Sequence, residues 1–247
     1  MAWLALVKDR PADAKWMIPE ATKLLESRLA HEQLAVAPVK NVKAALLRSD
    51  VILLSIVYFC WSLGVYGFVL WLPTIVRQGT ALSMGRTGLL SAVPYLAAIL
   101  MMLFAAQLSD KTLRRKSLVW PFLLIAGIAF GGSFLFAHSS FAIAFAGLIV
   151  AGTCMYAPYG PFFAIVPERV PRTATAETLA CINGSGALGA FFGSYFVGWL
   201  QSATGDGRAG YLLMAVSLVC AAGLMMCLGK DESAAEPDNA RTGGARE

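Results

Sequence analysis

Six long apolar stretches, separated by short polar segments, dominate the pattern of this chain. A helix needs about 20 apolar residues to cross the ~30 Å hydrocarbon core of a bilayer. The stretches that meet this length are 51–76, 88–108, 118–137, 141–165, 178–200 and 209–229. None contains Asp, Glu, Lys, Arg or His, and none shows the period-two alternation of barrel strands. The pattern predicts an all-α integral membrane protein whose six transmembrane helices form one bundle over residues 49–229.

The regions that flank this bundle are polar. Residues 1–48 carry mixed charges and predict a cytoplasmic segment. Residues 230–247 are rich in Ala, Gly and charged side chains, and we expect them to form a disordered cytoplasmic tail.

The composition supports the membrane class. Apolar residues make up 57% of the 247 residues and charged residues 14%, with a mean hydropathy of +0.64. Soluble globular domains contain about 45–50% apolar and ~25% charged residues. The composition therefore excludes a cytosolic enzyme, a disordered protein and a secreted disulfide scaffold.

Lysine and arginine are unevenly distributed about the predicted spans. Seventeen lie before the first span, after the second, after the fourth or in the tail, and three lie on the other side: Arg77, Arg86 and Arg208. This asymmetry predicts that both termini are cytoplasmic. It also accounts for the net charge of +5 without a nucleic-acid partner, because the basic clusters carry no interleaved aromatic residues.

The first span carries a polar stripe. Tyr58, Ser62 and Tyr66 are spaced at i, i+4 and i+8 and share one helix face, with Trp61 close to it. Because polar groups facing lipid are costly, this face should look inward. It either lines a path for a polar solute or forms hydrogen bonds between packed helices.

The fourth span is interrupted by Pro158 and Pro161. Two prolines within four residues remove backbone donors and bend the helix. Irregular backbone at membrane depth is tolerated where it is buried in protein or lines a cavity, and it is typical of transport pathways. Tyr156 and Tyr159 lie at this break, which is either part of a solute path or a packing kink.

The fifth span contains Asn183, the only Asn in any span. An amide in lipid must find a partner, so Asn183 either contacts solute or serves as a structural cap. Gly189 and Gly193 form a GxxxG pattern that Ser185 extends, and this small face predicts close helix packing.

The loop after the second span is acidic and then strongly basic, with Asp110, Lys111, Arg114 and Arg115 as its charged candidates. It resembles the cytoplasmic signature loop of the major facilitator superfamily, of the form G-x-L-S-D-[KR]-x-G-R-[KR]. Ala106 and Leu113 stand where that pattern has glycine.

Further segments resemble the anion:cation symporter family of that superfamily. Residues 9–20 resemble the segment that follows its sixth helix, residues 66–73 its seventh helix, and residues 182–195 its eleventh. The resemblance covers about residues 3–229. Within the family, residues 157–163 are most similar to the 2-ketogluconate transporter branch.

The resemblance implies that the six spans correspond to helices seven to twelve of a twelve-helix transporter in the bacterial inner membrane, a protein of ~430 residues whose solute binds between two bundles. The implied activity is proton-coupled symport of a sugar acid such as 2-ketogluconate, with a separate N-terminal six-helix half as partner. No metal or cofactor is implied beyond the coupling proton. The residues implied to bind substrate are Tyr58, Trp61, Ser62, Tyr66, Tyr156, Tyr159 and Asn183.

Three alternatives remain at this point. Besides the transporter interpretation, the chain could be an inactive truncated fragment, an obligate half-transporter that needs a partner bundle, or a membrane enzyme. The spans lack the His and carboxylate groups that an intramembrane enzyme would use, which argues against the last. Because the cores also lack a cation and a titratable acid, we expect no solute accumulation by this chain alone. The resemblance implies that the carboxylate-binding and coupling groups lie in the N-terminal bundle.

Overall fold

The computed structural model describes residues 18–34, 42–80, 83–136, 139–170, 172–205 and 209–229, and all regular structure within these ranges is helical. Most of the segment 9–20 and the whole predicted tail 230–247 lie outside the described residues. The helices, numbered in chain order, are α1 (Pro19–Leu34), α2 (Val42–Leu46), α3 (Ser49–Thr80), α4 (Met84–Thr112), α5 (Arg115–Phe136), α6 (Phe141–Tyr156), α7 (Tyr159–Arg169), α8 (Arg172–Thr204) and α9 (Ala209–Cys227).

Five membrane-crossing helices are found by length and composition among the described residues: α3, α4, α5, the pair α6–α7 and α9. The sixth predicted span, 178–200, lies within α8, which has 33 residues and is long enough to cross. Its sequence is diluted by Asn183 and by five glycines, so it is less apolar than the other five. Five of the six predicted spans are confirmed as apolar helices, and the count of six stays a prediction.

Several helices extend past the apolar stretches that predict them, although α5 and α9 end one or two residues before their stretches do. The stretch 51–76, for example, becomes the helix Ser49–Thr80, and 88–108 becomes Met84–Thr112. Each extra turn satisfies further backbone groups by i→i−4 hydrogen bonds, and those turns carry polar residues because they reach the membrane surface. Hydropathy therefore locates the membrane-embedded core of a helix but not its ends.

Helix α3 is the centre of the bundle. It packs most extensively against α8, and also against α9, α4 and α6. Its buried side chains recur every three or four residues, which places them on one stripe of the helix. The members of this stripe are Leu54, Val57, Trp61, Val65, Phe68, Leu72 and Val76. Burial of this stripe holds α3 in place, so groups on its remaining surface have defined positions.

The surface that faces away from this core is apolar. Leu89, Leu100 and Leu135 each expose about 70% of their surface. Water-soluble monomers rarely expose large contiguous apolar patches. The exposed apolar side chains on α4 and α5 are consistent with contact with lipid.

Candidate functional site

The fourth predicted span is broken in the structure where the prolines predict it. Helix α6 ends at Tyr156 and α7 begins at Tyr159. The Ala157 N–H donates to the Thr153 carbonyl at 3.2 Å, and Pro158 then has no N–H to continue the ladder. The next turn starts when the Phe162 N–H donates to the Pro158 carbonyl at 2.9 Å. The predicted interruption is confirmed.

Trp61 supplies a donor that this break requires. The last carbonyls of an interrupted helix lose their intrahelical partners. The Trp61 Nε1–H donates to the Met155 carbonyl at 2.9 Å, and the Trp61 side chain is fully buried. The indole N–H is therefore already hydrogen-bonded to the end of α6, and the indole ring packs beside the break.

Aromatic rings surround the break. The Tyr159 ring centroid lies 4.4 Å from that of Trp61, 5.9 Å from that of Tyr156 and 6.3 Å from that of Tyr58. Tyr58 also stacks on Phe162 at 5.5 Å. We call the following residues the aromatic cluster: Tyr58, Trp61, Tyr156, Tyr159, Phe162 and Phe163. Each such pair contributes about 0.5–1.5 kcal/mol beyond area burial, so the cluster holds α3 against the two halves of the broken span.

The three polar residues of the first span lie in different surroundings on their shared face. Tyr58 packs between α7 and Gly186 of α8. Ser62 is buried, and its Oγ lies 3.0 Å from where a Cβ on Gly186 would stand. Tyr66, one turn further on, exposes 45% of its surface. Tyr66 is therefore the member of the stripe that is open to a solute or to a second protein surface.

The small residues of α8 form a seam against α3. A Cβ on Gly189 would overlap the Phe59 carbonyl, and one on Gly193 would overlap the Leu63 carbonyl. The Ser185 hydroxyl donates to the Ser55 carbonyl at 2.9 Å across the same contact. We call Gly186, Gly189 and Gly193 the glycine seam. The close packing predicted from GxxxG is confirmed.

Asn183 stands apart from the aromatic cluster. It is exposed on α8, three residues before Gly186, and belongs to none of the ring contacts described above. The structure therefore brings together predicted residues of the first and fourth spans, and leaves Asn183 exposed on α8.

A second polar stripe was missed by the sequence analysis. Thr87, Ser91 and Tyr95 are spaced at i, i+4 and i+8 on α4, the same spacing that identified the stripe of the first span. The Tyr95 ring lies 5.9 Å from that of Tyr156, so the stripe ends at the aromatic cluster. Among the described residues, the hydroxyls of Thr87 and Ser91 are buried without a hydrogen-bond partner.

The predicted signature loop contributes to an ionic cluster at one end of the bundle. Arg115 at the start of α5 contacts Asp110 at 3.5 Å and Glu168 of α7 at 2.5 Å. The other two charged residues of the loop, Lys111 and Arg114, are exposed. The Asp110 side chain is largely exposed, so its pair with Arg115 contributes at most about 1 kcal/mol.

Two further cations at the same end of the bundle contact the last helix, α9, and the residues that follow it. Arg169 contacts Asp50 at 3.7 Å and donates to the Gly229 carbonyl at 2.7 Å. Lys116 donates to the carbonyls of Met226 (3.0 Å) and Leu228. Cations at a helix C-terminus are favourable because they meet its unpaired carbonyls and negative dipole end. The acidic partners Asp50 and Glu168 are far from the loop in sequence, and no local pattern identifies them.

Leu113 closes α4 in an unusual conformation. Its φ is 53° and its N–H donates to the Ser109 carbonyl at 2.8 Å, the geometry of a left-handed helix cap. It occupies the second glycine position of the signature pattern. The turn is therefore kept without glycine, at a cost of about 1–2 kcal/mol for a residue that bears a Cβ.

Comparison with known proteins identifies related chains. Residues 1–194 and 54–246 match the family model described as Major Facilitator Superfamily. A protein named "Putative tartrate transporter" from Agrobacterium vitis is 32% identical over 92% of this chain. A quinolone resistance transporter from Acinetobacter baumannii is 28% identical over 85%, and the inner membrane transport protein RhmT from Escherichia coli K12 is 28% identical over 93%.

The chain spans about half the length of the curated relatives it matches. The share is 50% for the tartrate-named protein, 49% for the quinolone-named protein and 53% for the Escherichia coli protein. All three are named for transport and none as an enzyme, in agreement with the prediction that the chain is not an enzyme.

Proposed function

The chain belongs to the Major Facilitator Superfamily, and we propose that it forms one of the two six-helix bundles of a transporter for small organic anions. The observation that carries this proposal is the aromatic cluster built around a broken membrane helix. Interrupted helices at membrane depth are typical of transport pathways, where irregular backbone lines a cavity. Tyr58, Tyr156 and Tyr159 place three phenol groups at that interruption.

The substrate class that we propose is a hydroxylated carboxylate such as tartrate or 2-ketogluconate. Two relatives from Agrobacterium vitis carry tartrate in their names, and both are 32% identical to this chain. Phenol, hydroxyl and amide groups suit the hydroxyls of such a solute, because each both donates and accepts hydrogen bonds. Tyr66, Tyr159 and Asn183 are the side chains that we assign to this contact, and Trp61 is assigned to holding the break.

The carboxylate of the solute needs a cation, and proton coupling needs a titratable acid. The six predicted cores contain neither in their sequence. An unpaired carboxylate in low dielectric costs at least several kcal/mol. We therefore assign both functions to a second bundle, either covalently joined or separate. Solute would bind between the bundles and cross when one bundle rocks against the other, with the ionic cluster keeping this bundle's helix ends together.

The orientation that we propose is a bacterial inner-membrane protein with both termini in the cytoplasm. The seventeen-to-three distribution of Lys and Arg supports it. Reporter fusions after residues 116 and 230 should then report the cytoplasm, and a fusion after residue 138 the periplasm. A cytoplasmic signal at residue 138 would contradict the six-span topology.

The test of the function is uptake of labelled tartrate and 2-ketogluconate in cells that lack their own carriers. Residues 1–247 are expressed alone or together with the N-terminal half of a related transporter. Uptake is expected only in the second case, and a protonophore should abolish it. Uptake by residues 1–247 alone would contradict the assignment of cation and acid to a second bundle.

A matched pair of variants links that uptake to the aromatic cluster. Tyr159→Phe removes a phenol at the break, whereas Tyr211→Phe removes one from a buried tyrosine of α9. Uptake should fall in the first variant and not in the second, with equal amounts of both in the membrane. Equal uptake by the two variants would argue against a solute path at the break.

A further inference from the structure

A concave site lies at the end of the bundle opposite the ionic cluster. It is a cavity of about 260 Å³ between the last turns of α3 and the first turns of α4. We call it the outer cavity; its lining residues are Pro73, Thr74, Arg77, Met84, Thr87 and Gly88. We propose that the outer cavity captures a small carboxylate anion before it reaches the aromatic cluster. This inference rests on the proposed transport of organic anions.

The charge of the outer cavity favours an anion. Arg77 provides a guanidinium group, which binds a carboxylate through two parallel hydrogen bonds. None of the residues that line the cavity is acidic. The six predicted cores carry no cation, and Arg77 directly follows the first of them along the chain.

The start of α4 adds backbone donors to the same cavity. A helix N-terminus presents unpaired N–H groups and the positive end of the helix dipole. The side chain of Ser83, the N-cap residue, makes no capping hydrogen bond. Met84 and Gly88, in the first turns of this 29-residue helix, line the cavity. An anion in the cavity would therefore meet both Arg77 and the uncapped end of α4.

Unpartnered hydroxyls connect the outer cavity to the aromatic cluster. Thr87 lines the cavity and exposes only 4% of its surface, and its hydroxyl has no partner among the described residues. Ser91, one turn further along α4, has an equally unpartnered hydroxyl. Tyr95 follows after another turn and contacts Tyr156. A buried hydroxyl without a partner is unfavourable because it has lost its hydrogen bonds to water, and a bound solute or water would restore one.

The volume of the cavity suits a small ion. Pockets for drug-sized ligands occupy about 300–1,000 Å³, and the outer cavity is somewhat smaller. A four- to six-carbon hydroxy acid is the occupant that we propose. The phosphate of a lipid headgroup shares the same anionic chemistry, so the experiment has to separate a soluble carboxylate from lipid.

The experiment measures charge selectivity inside the cavity. Thr74→Cys is introduced into the full chain after its five native cysteines are replaced by alanine. The protein is studied in dodecyl maltoside, which contains no phosphate, and variants are compared only if they elute as single species. The rates of modification by anionic and cationic methanethiosulfonate reagents are measured, with and without tartrate. We expect faster reaction with the anionic reagent, and protection by tartrate.

Two arginine variants supply the matched comparison. Arg77→Gln removes the cation of the cavity, and Arg86→Gln removes an exposed cation of α4 at the same end of the bundle that does not line the cavity. We expect Arg77→Gln to lower the anionic-to-cationic rate ratio by up to about fivefold and to abolish protection by tartrate, and Arg86→Gln to change neither. An equal effect of the two variants, or no protection by tartrate in the parent, would overturn the proposal.

Two further arms separate the possible failures. Protection by added phosphatidylglycerol but not by tartrate would identify a lipid site and overturn the capture of a soluble carboxylate. Uptake by the assembled transporter without tartrate protection would refute the outer cavity and leave the proposed function standing. Protection that requires Arg77, found in a transporter that takes up neither acid, would refute the proposed function and support the cavity as a carboxylate site.

Discussion

The two sides of α3 meet their neighbours in opposite ways. On the side of α8, the glycine seam brings backbone against backbone, with no room for a single Cβ at Gly189 or Gly193. On the side of α6 and α7, large rings fill the space beside an interrupted helix, and the centroids of contacting rings lie 4.4–6.4 Å apart. Helix α3 thus packs against α8 through its backbone, and against α6 and α7 through aromatic side chains.

The difference between these two contacts of α3 indicates two different roles. Backbone contact leaves few alternative arrangements, because packed backbones cannot move apart without losing the interface. The rings beside the broken helix include three tyrosines, whose hydroxyls suit a solute. We infer that the glycine seam supports the bundle and that the aromatic cluster is the part adapted to transport.

The largest effect is expected at the glycine seam. Gly193→Ala places a Cβ against the Leu63 backbone, which has no flexible end to move aside. Overpacking of this kind costs typically 1–3 kcal/mol, and we expect about 3 kcal/mol. Thermal unfolding in detergent measures it. Gly184→Ala is the control, because a Cβ there meets nothing within 4 Å; equal melting temperatures for the two variants would refute the seam.

A smaller loss of stability is expected at Trp61 in the aromatic cluster. Trp61→Phe keeps an aromatic ring but leaves the Met155 carbonyl without its donor. An orphaned buried acceptor costs about 1–3 kcal/mol, and we expect about 2 kcal/mol by the same unfolding measurement. Trp199→Phe is the control, since Trp199 exposes 54% of its surface. If both variants unfold at the parental temperature, the indole does not hold the break.

A change at Asn183 tests whether the solute path reaches α8. If the amide contacts solute, Asn183→Ala should weaken uptake by the assembled transporter without changing the amount of protein in the membrane. Loss of one hydrogen bond costs about 0.5–1.5 kcal/mol, or roughly two- to tenfold in apparent affinity. The concentration dependence of tartrate uptake measures it. A matching loss of protein and uptake would favour the structural role.

The smallest effect, of opposite sign, is expected at Leu113, away from both contacts. Leu113→Gly should stabilise the chain, because glycine adopts φ of 53° without the strain of a Cβ. The relief of about 1–2 kcal/mol is partly offset by the greater freedom of glycine when unfolded, which leaves about 0.5–1 kcal/mol. Leu100→Gly, at an exposed position inside α4, should instead destabilise by about 1 kcal/mol. Destabilisation by both would show that Leu113 is not strained.

The sequence pattern alone predicted those features of this protein that depend on residues close together in the chain. Hydropathy predicted six spans, and five of them are confirmed, because a helix that crosses lipid must be apolar along its own length. Pro158 and Pro161 predicted the break, since a missing N–H acts within one turn. The GxxxG spacing predicted the glycine seam, because close approach needs small residues on one face.

Other features required the tertiary structure. The sixth span stays unconfirmed because α8 is diluted by the glycines that make its packing possible. The link from Trp61 to Met155 joins residues 94 positions apart, and that from Arg115 to Glu168 joins residues 53 apart. The stripe of Thr87, Ser91 and Tyr95 has a visible spacing, but only packing aligns it with Tyr156 and with the outer cavity. Spacing along a chain determines which residues share a helix face, whereas the partner of that face is determined by how the helices pack.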